Sequence, residues 1–229
     1  MEKREIESIA VLGDKERKTC EEEASDIIRK TMENADGALG RGRVATVWKS
    51  ERYENVCYKV VSDYTAYFES NNIYEEGAFL EELGDLSVKG VRTPELYFYL
   101  EQDGLVVLVM ENLPAVSIKD VVFGAGLPNQ YDEKTFWNDL CEYVQKMHEK
   151  GIFHRDLHFE NIMIDAITGK PFIIDFGDSI KMPENSQDDP YEVRDRYSKS
   201  VTGRKQDDFE CIEEVRKDFS SSLKRKKQK

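Results

Sequence analysis

No apolar run in this 229-residue chain is long enough to cross a bilayer, and no two cysteines stand at C-x-x-C spacing. Cys20, Cys57, Cys141 and Cys211 are scattered, which argues against a zinc site or a disulfide framework and for reduced thiols. Basic charge is scarce as well: 33 Lys and Arg face 46 Asp and Glu, a net charge of −13. The chain as a whole therefore repels nucleic acid and anionic membrane, and any polyanion it takes must meet a local basic pocket. There is no internal repeat, and the one biased segment is the ending SSSLKRKKQK, with Lys224, Arg225, Lys226, Lys227 and Lys229, read as a solvated tail.

What is present suffices for one large core or two small lobes, at 39% hydrophobic residues. Residues 1–33 are highly charged, and EEEASDIIRKTME reads as a short helix with little apolar face, an extension ahead of the fold. From GALGRGRVATVWKS the pattern changes. Val44, Thr46 and Trp48 alternate as in a strand, and NVCYKVV follows as a second β-rich run. In NNIYEEGAFLEELGDL, the residues Ile73, Glu76, Phe79, Leu80 and Leu83 fall at helical spacing, so Glu76 shares a face with apolar side chains and calls for a cation partner. ELYFYLEQDGLVVLVMENL predicts two strands about a QDG turn, and PAVSIKDVV opens a helix.

The second half begins as helix. Phe136, Leu140, Tyr143, Val144 and Met147 mark a long amphipathic segment from Asp132, with Gly151 as its C-terminal cap. NIMID and PFIID are short strands about AITGK, and KQDDFECIEEVRKDF reads as a further helix.

Between these elements lies HRDLHFENIMID, residues 154–165, followed by IIDFGDS. Together these stretches resemble the catalytic loop and the metal-binding DFG of the protein-kinase superfamily, a likeness spanning residues 37 to 178 with a weaker echo to 216. The resemblance implies ATP and Mg²⁺ (or Mn²⁺) as cofactors, Asp156 as the base for the acceptor hydroxyl, and Asn161 and Asp175 as metal ligands. LGRGRVATV resembles the glycine-rich loop over the phosphates, through Gly40, Gly42 and Val47, with Ala45 where a third glycine would stand. Lys59 in VCYKVV matches the strand lysine, and Glu76 its helix partner, with Glu75 one position out of phase. MENL resembles the hinge, so that Glu111 and Leu113 belong to the nucleotide site through their backbone. GRKQDDFECIEE resembles the start of the central helix of the second lobe, with Asp208 bracing the catalytic loop.

His158 departs from the pattern. Ser/Thr kinases usually carry lysine there, whereas D-L-H-x-x-N looks like aminoglycoside and choline phosphotransferases; contact with the phosphate and support of the loop are both open to it. His148 and His154 read as structural. The fold expected is α+β and bilobal: an N-lobe of antiparallel sheet plus one helix at 34–113, a shortened, mainly helical C-lobe at 114–218, and a basic tail at 219–229. A shortened lobe resembles the RIO-type atypical protein kinases and the compact kinases that bacterial pathogens deliver into host cells. The function implied is a minimal Ser/Thr protein kinase acting on a protein substrate, without nucleic acid or membrane and as a monomer. A small-molecule phosphotransferase and a pseudokinase scaffold are the alternatives. The opening MEKREIESIA has charges where a secretory signal needs apolar residues, so the expected location is the cytoplasm, or a host cell reached by a route that needs no such signal. Tyr191, Tyr197, Ser198, Ser200 and Thr202 are available hydroxyls after Asp178; the expectation is constitutive activity.

Overall fold

The computed structural model describes residues 12–42, 45–62, 73–184, 186–192 and 207–227. The chain runs α1 (Asp14–Met32), β1 (Gly40–Arg41), β2 (Ala45–Lys49), β3 (Val56–Ser62), α2 (Ile73–Leu83), β4 (Leu96–Gln102), β5 (Leu105–Glu111), β6 (Ala115–Ser117) and α3 (Ile118–Phe123). It continues through α4 (Glu133–Glu149), β7 (Ile152–Phe153), β8 (Ile162–Asp165), β9 (Pro171–Ile173), β10 (Ile180–Lys181) and α5 (Asp208–Lys227).

β1 to β5 form one antiparallel sheet in the order β1-β2-β3-β5-β4. Tight connections set its register. Asp103 and Gly104, both at positive φ, close the β4–β5 hairpin at the predicted QDG turn. Strand alternation then sorts β3: Val56, Tyr58 and Val60 point to one face, Cys57, Lys59 and Val61 to the other. The first set packs under α1, and Val61 joins Ile73 of α2 beneath the opposite face.

α1 corrects the expected charged extension. Cys20, Ala24, Ile27 and Ile28 lie at most 1% exposed against Trp48, Tyr58, Val60 and Phe98, so this helix covers the outer face of the sheet. Burying each isoleucine contributes about 1.5–3 kcal/mol. The boundary expected at residue 33 thus falls between a helix and the sheet it caps.

The second lobe is built on α4. Its apolar stripe, Phe136, Leu140, Tyr143, Val144 and Met147, is fully buried among residues of α3, β8, β9 and α5. Asp132 caps it by accepting the Thr135 N–H (2.8 Å), and Gly151 at φ 75° follows its end. Helix α5 also exceeds expectation. Phe219 is fully buried and the helix continues to Lys227, so Lys224 and Arg225, expected in the tail, are helical.

Candidate active site

Lys59 is positioned by register. It stands opposite Leu108 of β5 and Val47 of β2, on the sheet face turned to α2. Its Nζ donates to both carboxylate oxygens of Glu76 (2.8 and 2.7 Å) and to Oδ1 of Asp175 (2.7 Å). Glu76 is 2% exposed while Glu75 is exposed, so the lysine's partner is the in-phase residue of the two. Burial opposes a charge on Lys59, but the two carboxylates outweigh it and raise its pKa, so the ammonium stays charged. Burial likewise acts to raise the Asp175 carboxyl, and the Lys59 ammonium more than reverses it, leaving the pKa lowered.

The catalytic loop is suspended from α5. Asp208, fully buried, accepts the backbone N–H groups of His154 (2.9 Å) and Arg155 (2.7 Å), while Nε2 of His148 lies 2.9 Å from its Oδ2. Burial acts to raise this carboxyl, yet the His148 hydrogen bond and the nearby histidines hold its pKa below the usual value. His154 is buried, contacts the Ile174 carbonyl (3.1 Å) and packs edge-on against Phe176 (4.8 Å). Both histidines are thus engaged in contacts within the lobe. Arg155 and Asp175 have φ of 68° and 65°. Left-handed backbone at non-glycine residues is costly and clusters at working sites.

At the tip of the loop, Asn161 Nδ2 donates to the backbone oxygen of Asp156 (2.9 Å) and to its Oδ2 (3.2 Å). The amide oxygen is then the atom that can face a cation. His158 sits beside both: Nε2 lies 3.4 Å from Asp156 Oδ2 and 3.2 Å from Asn161 Nδ2, and Nδ1 accepts the Glu160 N–H (3.1 Å). The hydrogen bond to Asp156 raises the imidazole pKa against the effect of burial. The Glu160 N–H works the other way, because a ring nitrogen that accepts cannot carry a proton; it favours the neutral ring protonated on Nε2.

Gly40 and Gly42 lie at the start of β1 and just after it, and Ala45 and Val47 are on β2. A Cβ added at Gly40 would meet nothing within 4 Å, so protein packing does not account for the glycine. Val44 lies outside the described residues. At the hinge, Glu111 N–H donates to Glu95 O (2.8 Å) and Asn112 N–H to Asn55 O (2.9 Å), while Leu113 O accepts from Ala115 (2.8 Å). The Glu111 side chain is engaged by Arg92, so its part in a nucleotide site falls to its backbone. Cys57, on the Lys59 face, is buried with its thiol pushed up to about 12 by burial, and its S–H donates to the Glu111 carbonyl (3.5 Å).

Among the described residues no three His, Cys, Asp or Glu side chains gather as a closed metal cage. Mg²⁺ seldom uses one; it takes one or two protein oxygens and completes its shell with water and phosphate. Asp175 and Asn161 meet that description, with the Asp175 side chain 46% exposed. Nucleotide and metal therefore fit the donor set. Tyr191 does not remain an available hydroxyl: it is 5% exposed, packs on Phe153 (5.9 Å) and accepts the Asp208 N–H (3.3 Å). Tyr197, Ser198, Ser200 and Thr202 lie outside the described residues.

A small antiparallel sheet with its lysine–glutamate pair, hinged to a helical lobe that holds an aspartate–asparagine loop, defines the kinase-like fold. The family model of the protein kinase domain matches residues 14–202. The chain belongs to that family. It is similar to serine/threonine-protein kinase D of Synechocystis sp., 33% identical over 103 residues, which are 45% of this chain and 19% of the relative. It is also similar to serine/threonine-protein kinase pim-2 of Danio rerio, 29% identical over 170 residues, or 69% of this chain and 55% of that protein. The chain thus spans about a fifth of the cyanobacterial relative and about half of the fish one. The match begins at Asp14, the first residue of α1, in keeping with that helix being part of the domain.

Proposed function

We propose that the protein transfers the γ-phosphoryl group of Mg-ATP to a serine or threonine hydroxyl of another protein. One observation carries the reading: Lys59 is bonded at once to Glu76 and Asp175, from three separate segments, so the phosphate-positioning cation and the metal-ligating carboxylate are aligned. Phosphoryl transfer needs little covalent chemistry from the protein and depends on placement and charge. When bound, Mg-ATP supplies the transferable group and neutralises charge developing on it. Lys59 orients phosphate oxygens, Asp175 and Asn161 offer oxygens to the metal, and Asp156 orients the acceptor hydroxyl and takes its proton.

His158 favours a second reading, a small-molecule acceptor, because the loop resembles those phosphotransferases. The deciding experiment is transfer of labelled γ-phosphate by wild type and Asp156→Ala, onto the protein itself, a native lysate and a metabolite extract. Labelled protein bands that the variant loses by about 10²–10⁴-fold support the protein kinase. Label confined to the metabolite extract supports the second reading, and equal labelling by both proteins defeats the assignment of Asp156.

A further inference from the structure

We propose that Arg92 is a positioning residue for the hinge, locking the backbone of Glu111 between the two lobes and so setting nucleotide affinity. The inference rests on reading the cleft as a nucleotide site. Arg92 lies in the connection from α2 to β4. Its Nη2 donates to Glu111 Oε1 (2.7 Å) and its Nη1 to Glu111 Oε2, a two-pronged pair, and Nη1 also reaches Thr93 O (3.2 Å). The same guanidinium lies 4.9 Å over the ring of Phe172 on β9. The backbone adds a bridge from Arg92 to Phe172, and Arg92 O accepts the Ile173 N–H (3.3 Å).

Glu111 closes β5, the strand that leads out of the sheet lobe, and β9 belongs to the helical lobe. One side chain therefore touches the hinge and the far lobe together. The remaining bonds of Glu111 leave it little freedom: its N–H and Oε2 both engage Glu95. The contact depends on a planar fork that both pairs with a carboxylate and stacks on a ring, which lysine cannot reproduce. Arg92 contacts none of Lys59, Asp156, Asn161 or Asp175 in the described hydrogen-bond and ion-pair network, so its loss should act on binding and leave the chemical step largely alone.

The test uses the full chain with Arg92→Met, Arg92→Lys, Glu111→Gln and the charge exchange Arg92→Glu/Glu111→Arg. Three quantities are measured: kcat and KM for Mg-ATP, equilibrium binding of a non-hydrolysable ATP analogue by calorimetry, and melting temperature. Arg92→Met and Arg92→Lys should raise KM and the analogue's Kd roughly tenfold, the scale of a lost charged hydrogen-bond pair, with kcat within about twofold, and the exchange should recover part of the loss. Wild-type analogue affinity in Arg92→Met, or a fall in kcat with KM unchanged, overturns the proposal. So does a lowered melting temperature with undiminished affinity, which marks a contact of stability alone. If Arg92→Met fails to fold, Arg92→Lys carries the same comparison with the charge kept and the planar fork removed. Analogue binding by a wild type that transfers no phosphate would count against the catalytic reading and leave the hinge result standing; a wild type that binds no nucleotide overturns both.

Discussion

Strand β3 carries a buried glutamate partner on each of its faces, and the two differ in kind. On the outer face Glu23 of α1 accepts the Tyr58 O–H (2.7 Å), the Ser50 O–H (2.6 Å) and the Glu51 N–H (2.6 Å), all neutral donors. On the inner face Glu76 of α2 meets the Lys59 ammonium, which Asp175 shares. Tyr58 and Lys59 are adjacent in sequence and opposite in direction. A carboxylate satisfied by neutral hydroxyls and a peptide group is complete and fixes a helix to a sheet. A carboxylate satisfied by a shared cation is part of a charge balance that a phosphate or metal can shift. Burial alone therefore does not tell these two glutamates apart; the charge of their partners does.

The sharpest way to break that comparison is to neutralise each glutamate without changing its size. Glu76→Gln should lower phosphate transfer by about 10²-fold, the cost of a misplaced positioning group, while Glu23→Gln should leave transfer near wild type. Comparable losses in both would show that the outer face acts on Lys59 after all. Stability should run in the opposite order. Glu23→Ala leaves the buried Tyr58 and Ser50 hydroxyls without their acceptor and should destabilise by about 1–3 kcal/mol for each donor orphaned, read as a lowered urea midpoint. A midpoint unchanged from wild type would mean that α1 is held by its apolar stripe alone.

Asp208 lies between these extremes, being buried like Glu23 and set beside a histidine. Its pKa is below the usual 3.8, so the unfolded state binds the proton more readily than the folded one. Its contribution is complete above the unfolded value and is lost as pH falls through the lowered folded value. Acid unfolding of the wild type should show this proton uptake, and Asp208→Asn should be weaker by about 1–3 kcal/mol at neutral pH with a shallower acid dependence. Parallel acid curves for the two proteins would refute the depressed pKa.

Local patterns made much of this legible. Asp156, Asn161 and Asp175 sit within twenty residues and carry their spacing openly, and Glu76 follows from helical phase because four apolar residues share its face. The role of α1 was hidden: its stripe contains Cys20 and Ala24, small residues that barely register as apolar, and its anchor Glu23 sits in a run of three glutamates that reads as solvated surface. Arg92 was hidden for a different reason. Its partners Glu111 and Phe172 are distant in sequence, and nothing about GVRTPELYF signals a pair across the hinge. Tyr191 read as an available hydroxyl because Phe153 and Asp208, which bury it, are likewise remote. Contacts between segments remote in sequence leave no local trace.

The smallest effect expected concerns His158, and it tests whether the loop uses a neutral or a charged partner for Asp156. With Nδ1 taken up by the Glu160 N–H, the ring offers Nε2–H to Asp156 and holds the carboxylate beside Asn161. The imidazole side chain is 42% exposed, so this bond is worth about 1 kcal/mol, or less than about tenfold in rate. Glutamine can present an N–H without a charge, whereas lysine brings a permanent one. If the role is orientation, His158→Gln should retain most of the transfer rate and His158→Ala should lose more. If His158 instead acts as a cation toward the transferred phosphate, lysine should be the better replacement and glutamine should fall as far as alanine. The ranking of the three variants in single-turnover transfer therefore separates an orienting histidine from a phosphate-binding one.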